Sequence, residues 1–289
     1  EHMSENIKII ECPRDAMQGI HEFIPTQQKI KYLNALLKVG FDTLDFGSFV
    51  SPKAIPQLSD TAEVLAGLNL SETKTKLLAI VANKRGAEEA IKYPEIEYLG
   101  FPFSISETFQ LRNTNKTISE SFDTVKEMQA ICLAANKKLV IYISMGFGNP
   151  YNEPWNVEIV EKWADEMNKI GITIISLSDT IGSSKPETIK YLFESLIPRY
   201  PQIEFGAHLH TQPHTWFEKV EAAYDAGCRR FDGALKGLGG CPMAIDDLVG
   251  NMPTENLITF CAAKKLKAGL NNLSFESAYN VALQTFPSL

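Results

Sequence analysis

Three stretches of this chain repeat one phrase. "LLKVGFDTLDF", "MNKIGITIISL" and "AAYDAGCRRFDG" each run from an amphipathic segment through a glycine into a short apolar run. A glycine directly after a periodic apolar segment stops a helix, and the run that follows it has the length of a strand. The same alternation fills the rest of the chain. Strands are expected at 7–12, 43–49, 75–81, 95–101, 138–144, 173–179, 204–210 and 230–235. Between them lie helical patterns. One carries Ile30, Leu33, Leu36 and Leu37 ahead of Gly40; another opens on Thr117 with Glu120 three residues later, the spacing of a capping box. Strand–helix repetition of this kind builds a parallel sheet covered by helices. Eight units in 289 residues fit a (β/α)8 TIM barrel better than an open doubly wound sheet. No G-x-G-x-x-G follows a strand, which removes the main signal for a dinucleotide-binding fold.

Residues 4–289 read as a single barrel domain, with extra helices from about residue 252 onward. The opening "EHM", with His2, reads as a leftover of an expression tag and is set aside. Net charge is −7 and no Lys/Arg block stands out, which argues against nucleic acid as a partner. No run approaches the roughly 18 apolar residues of a spanning helix, so no membrane partner is expected. The five cysteines, at 12, 132, 228, 241 and 261, are odd in number and widely spaced, with no C-x-x-C. That pattern disfavours both a disulfide framework and a zinc ribbon and suits a cytoplasmic protein with reduced thiols.

A barrel presents its chemistry at the C-terminal ends of its strands. The polar residues expected there are Arg14, Asp15 and Gln18 after strand one, Asp45 and Ser48 after strand two, and Tyr142 and Ser144 from strand five. Asp179 follows strand six, His208 and His210 end strand seven, and "KGLGGCPMA" and Asn251 follow strand eight. On a strand, His208 and His210 point the same way, so their nitrogens can converge on one ion. Each member has an ordinary reading as well: paired structural histidines, an Asp15 salt bridge, an Asn251 helix cap. Together they form a mixed oxygen and nitrogen donor set without thiolate, which suits Mg²⁺ or Mn²⁺.

"CPRDAMQ", "SFVSPK", "LSDTIG", "HLH" and "GLGGCPMA" followed by "GNMPTE" occur in the order found in the 3-hydroxy-3-methylglutaryl-CoA lyase family. The chain resembles that family over nearly its whole length. The resemblance implies a metal-dependent lyase that cleaves 3-hydroxy-3-methylglutaryl-CoA, or a close 3-hydroxyacyl-CoA, to acetoacetate and acetyl-CoA by retro-Claisen chemistry. It implies Asp15, His208, His210 and Asn251 as metal ligands and Arg14 as a catalytic cation. It implies Cys241 as the catalytic thiol on a mobile Gly-rich loop. Asp45, in the place of a family glutamate, and Asp179 are candidate bases, as is a liganding histidine. Gln18, Ser48, Tyr142, Ser144 and Lys236 are taken as substrate-lining. A homodimer is the common assembly of such proteins.

The sequence also departs from the family pattern. Ala16 and Met17 replace Gly and Leu, and the Asn-Glu that usually follows Gln18 is missing. Thr211-Gln212-Pro213-His214 stands where Asp-Thr-Tyr-Gly is usual, Lys236 replaces a small residue, and Met145 and Asn149 replace frequent cysteines. The alternatives left open are a sister aldolase, an acetyl-CoA-condensing activity on another acid, and a non-catalytic metal-binding barrel.

Overall fold

The computed structural model describes residues 6–239 and 250–287. Eight parallel strands close into a barrel: β1 (Lys8–Glu11), β2 (Thr43–Ser48), β3 (Lys76–Ile80), β4 (Ile96–Ser104), β5 (Lys138–Ser144), β6 (Ile174–Ser178), β7 (Glu204–His208) and β9 (Arg230–Gly233). The ring is sealed where the first strand meets the last, Lys8 opposite Arg230 through Glu11 opposite Gly233. Around it run α1 (Pro13–Gln18), α2 (Thr26–Leu37), α3 (Thr61–Ala66), α4 (Lys84–Ala90), α5 (Glu107–Thr114) and α6 (Ile118–Ala134). They are followed by α7 (Val157–Lys169), α8 (Pro186–Arg199), α9 (Trp216–Asp225), α10 (Thr254–Lys264) and α11 (Asn272–Thr285).

The expected strands fall within a few residues of the observed ones. β4 is the longest departure: it continues past Phe101 to Ser104 and takes Pro102 into the strand opposite Tyr142. The Thr117–Glu120 capping box is formed, each residue accepting from the other's backbone N–H at 3.1 Å. α10 packs against β9 and α9 in the place of the eighth barrel helix. Of the two C-terminal helices expected to be additional, only α11 stands outside the repeat, laid along α2.

One expectation is corrected. His208 and His210 do not share a barrel strand. β7 ends at His208, and His210–Thr211 forms a separate strand, β8, antiparallel to β10 (Gly250–Asn251). The cause is the supply of partners. β9 pairs with β7 only at Gly206 and Ala207. Beyond His208 that flank of the chain is taken up by the returning segment, with His210 opposite Asn251 and the Met252 N–H on the Leu209 carbonyl at 3.1 Å.

Apolar side chains fill the space between strands and helices, where Leu36, Val125, Val160, Leu192 and Phe260 are fully buried. The barrel interior holds a smaller apolar group, Leu78, Ile80, Tyr98, Val140, Tyr142 and Ile174.

Candidate active site

After β1 the chain turns at once into α1, with Pro13 at its first position, where a missing N–H does no harm. This short helix aims Arg14, Asp15 and Gln18 over the barrel mouth. Arg14 is locked in place. Its Nε lies 3.1 Å from both carboxylate oxygens of Asp45 and its Nη2 lies 2.9 Å from Oδ2. Its remaining arm donates to Gln18 one helical turn on. Such a fork is a fixed cation, since guanidinium keeps its charge when buried, and Asp45 raises its proton affinity further against the opposing effect of burial. Burial pushes Asp45 up to about 6, with Arg14 pulling the other way.

Asp15, His208, His210 and Asn251 converge beside this pair. His208 Nε2 is 3.5 Å from Asp15 Oδ2 and Asn251 Nδ2 donates to the same oxygen at 2.9 Å. The rings of His208 and His210 are centred 5.7 Å apart, so the alternation expected of "HLH" persists across the strand break. Gly239 packs directly over this corner at φ +93°; a Cβ there would meet Asn251 Nδ2 at 2.7 Å and the Asp15 carbonyl at 2.8 Å. No other residue type combines that dihedral with that approach.

Behind His208 stands Asp232 from β9, whose Oδ2 is 2.8 Å from Nδ1. A carboxylate only accepts, so the Nδ1 proton points at Asp232 and Nε2 faces Asp15. A carboxylate in this position fixes the orientation of an imidazole ring and is the usual outer partner where such a ring binds a metal. Burial disfavours charge here, yet Asp15 and Asp232 outweigh it and lift His208 to about 10. Burial and the neighbouring His208 push His210 down to about 4, leaving it neutral. Burial also opposes the charge on Asp15, but His208 and Arg14 overrule it and hold the acid well below the usual range.

The residues fit a hard divalent ion. Asn251 Oδ1 is buried and has no hydrogen-bond partner among the described residues, a neutral oxygen left over once its amide is spent on Asp15 and the Leu238 carbonyl. A carboxylate, a neutral imidazole, an oriented one and a neutral amide oxygen make a donor set suited to a divalent cation. Cys12, His208 and Asp232 also offer ligand atoms within 4.8 Å of one another. That grouping needs the Nδ1 already held by Asp232, and a thiol whose proton is retained by burial and by Asp232, Asp45 and Asp15. The Nε2 side is the better cation position.

Other expected residues stand as follows. Tyr142 sets the edge of its ring near His208, centroids 5.9 Å apart, with its hydroxyl buried. Asp179 is turned to its own loop: both oxygens accept from the Ser184 N–H, and Lys219 Nζ is 3.7 Å away. Ser48 accepts from the Val50 N–H at the end of β2, and Ser144 ends β5. Lys236 has a left-handed backbone, φ +65°, and its N–H is gripped by Glu255 at 3.0 and 3.1 Å. Cys241 lies outside the described residues. The sequence reading missed Asp232 and Glu11. Glu11 accepts from the Leu235 N–H at 2.9 Å and from the Thr254 hydroxyl, and so ties both ends of the segment between β9 and α10 to β1. For Asp232 the available signal was a charged residue at an inward position of β9; Glu11, opposite Gly233, faces α10 instead, and its signal was a charge at the end of an otherwise apolar run.

A closed parallel barrel with a clamped arginine and a cation-accepting cluster at its strand ends defines a (β/α)8 enzyme. From residue 6 to residue 281 the chain matches the HMGL-like family, and it belongs to that family. It is 33% identical to the hydroxymethylglutaryl-CoA lyase of Bacillus subtilis over 258 residues, 89% of this chain and 85% of that one. The crystal structure of the HMG-CoA lyase from Brucella melitensis superposes with a TM-score of 0.90 at 28% identity, over 97% of this chain and 99% of that chain. An HMG-CoA lyase from Acinetobacter baumannii, in complex with coenzyme A and 3-methylmalate, superposes with a TM-score of 0.89 at 30% identity, over 99% and 92%. Among the described residues no helix is long and apolar enough to cross a membrane.

Proposed function

We propose that this chain is a metal-dependent carbon–carbon lyase that cleaves 3-hydroxy-3-methylglutaryl-CoA to acetoacetate and acetyl-CoA. The observation that carries the reading is the convergence of Asp15, His208, His210 and Asn251, whose Oδ1 has no hydrogen-bond partner among the described residues, beside a cation fixed by Asp45. A divalent ion held by those four residues would acidify the substrate hydroxyl and hold its oxygens in register.

The chain's own groups account for the remaining requirements. A base removes the hydroxyl proton; Asp45 and a liganding histidine are the nearest candidates, while Asp179 would first have to leave Ser184. The bond between the substrate's second and third carbons breaks, the hydroxyl oxygen becomes the ketone of acetoacetate, and the electron pair passes to the thioester oxygen. Arg14 stabilises that enolate, because Asp45 and Gln18 hold its guanidinium before the charge develops. A proton delivered to the enolate carbon completes acetyl-CoA, and Cys241 is assigned as its donor from the family resemblance. Gln18 and Tyr142 line the pocket, and the assignment of Ser48, Ser144 and Lys236 to substrate binding belongs to the same proposal. The four described cysteines are free and buried, which supports a reducing, cytoplasmic setting.

The test is acetoacetate release from 3-hydroxy-3-methylglutaryl-CoA with Mg²⁺ or Mn²⁺, then with EDTA, in wild type and Cys241→Ala. Metal-dependent release that collapses in the variant is expected. No release from a chain that still binds Mn²⁺ would move the assignment to a sister aldolase or condensing reaction, with Thr211 and Lys236 examined first.

A further inference from the structure

Inside the barrel, one layer below the site, lies an arginine that the chemistry above does not use. Arg230 on β9 is 1% exposed, and its Nε and Nη2 have no hydrogen-bond partner among the described residues. Among the described residues its one ionic contact is Nη1 to Glu204 Oε1 at 3.7 Å. The strand register puts it in a row across four neighbours, Tyr142, Ser176, Gly206 and Arg230. Gly206 makes the room. A Cβ there would fall 2.9 Å from Arg230 Cδ and 3.0 Å from Cγ, so the arginine stem occupies the space of the missing side chain. The Tyr142 hydroxyl and Ser176 Oγ, in the same row, are also buried without a partner among the described residues.

The next inward position on β9 is Asp232. Its Oδ2 holds His208, and its Oδ1 is buried and unpartnered among the described residues. Donors on Arg230, an acceptor on Asp232, and two hydroxyls that do either therefore face one interior. Buried polar atoms do not remain unpaired, and internal water with two to four partners is the usual remedy.

We propose that Arg230 is a positioning residue for the metal site: through solvent shared with Ser176 and Tyr142 it holds Asp232, which in turn fixes the ring of His208. The inference rests on the metal-site reading given above. A buried arginine with two unpaired nitrogens is a poor choice for stability alone, since an apolar residue of similar length is often neutral or stabilising there. Its presence is explained by what it does to Asp232.

The test compares wild type, Arg230→Met, Arg230→Lys, Asp232→Asn and the Met/Asn double variant. The readouts are Mn²⁺ dissociation constant, thermal midpoint, and the imidazole tautomer of His208 by ¹⁵N NMR. Arg230→Met is expected to weaken Mn²⁺ binding about tenfold, the lower end for a residue behind a ligand, with a thermal midpoint no lower than wild type. It should also erode the Nδ1–H tautomer. Arg230→Lys should recover most of the affinity, and the double variant should bind no worse than Asp232→Asn. Unchanged affinity and tautomer in folded Arg230→Met, or fully additive losses, would overturn the proposal. Should Arg230→Met not fold, Arg230→Gln removes the charge while keeping a polar end and carries the same comparison. A wild type that does not bind Mn²⁺ would sink the metal-site reading, and this inference with it.

Discussion

Glu11 makes the sharpest prediction about this fold. The residue is fully buried at the end of β1, and burial lifts its carboxyl from 4.5 to about 8, only partly opposed by its bonds from Thr254 and the Leu235 N–H. At neutral pH the folded chain therefore keeps Glu11 protonated, whereas the unfolded chain ionises it. Below pH 4.5 both states are protonated and there is no penalty. As pH rises towards 8 the unfolded state is progressively favoured, so this group's stability contribution is lost across that window. At about 1.4 kcal/mol per pH unit, the loss is about 3 kcal/mol at pH 7 and about 5 kcal/mol above pH 8. Glu11→Gln copies the protonated form, with an oxygen for Leu235 and an amide for Thr254, and cannot ionise. With about 2 °C of thermal midpoint per kcal/mol for a chain of this size, the variant should exceed wild type by about 6 °C at pH 7 and about 10 °C at pH 9. At pH 4.5 the two should coincide. Thermal unfolding of both proteins followed by circular dichroism from pH 4.5 to 9 reads the difference directly. A gap that stays constant with pH would refute the buried, protonated carboxyl. A glutamine variant less stable at every pH would show that the carboxylate itself is needed.

Two shorter predictions concern the site and a control. Arg14→Lys keeps the charge but cannot reach Asp45 and Gln18 together; kcat should fall about 100-fold with KM changed far less, measured by acetoacetate release. Thr117→Ala removes the capping box of α6 and should lower stability by about 1 kcal/mol in urea unfolding while leaving kcat unchanged.

The barrel was legible because each strand is a short apolar run between periodic segments, and glycine marks the passage from one to the other. Positions 138–144 were read to the residue. The site was legible to the extent that it follows from strand ends. Arg14 and Asp45, 31 residues apart, were placed on one face by topology and are bonded there. The break between His208 and His210 was not legible, because it depends on a segment that returns 41 residues later to pair with the second histidine. Asp179 shows the same limit: it has the right address, but the position of its oxygens is set by Ser184 and Lys219, partners that no local pattern announces. Asp232 and Arg230 did carry a local signal. On β9 they alternate with Phe231, so two charges face the inside of a barrel where apolar side chains are the rule.

The sealing of β1 against β9 has a consequence for how the chain comes off the ribosome. Asp15 is made early and Asn251 late, yet the two are bonded at 2.9 Å. No nascent fragment that stops short of β10 can assemble the four-residue cluster, however well its first strands have collapsed. On the metal site proposed above, capacity to bind a cation at all four residues is gained only once β10 has been made, and a bound ion would draw the equilibrium towards the folded barrel by mass action. Metal supply during synthesis should then raise the yield of folded chain, and do so only for products that extend beyond β10.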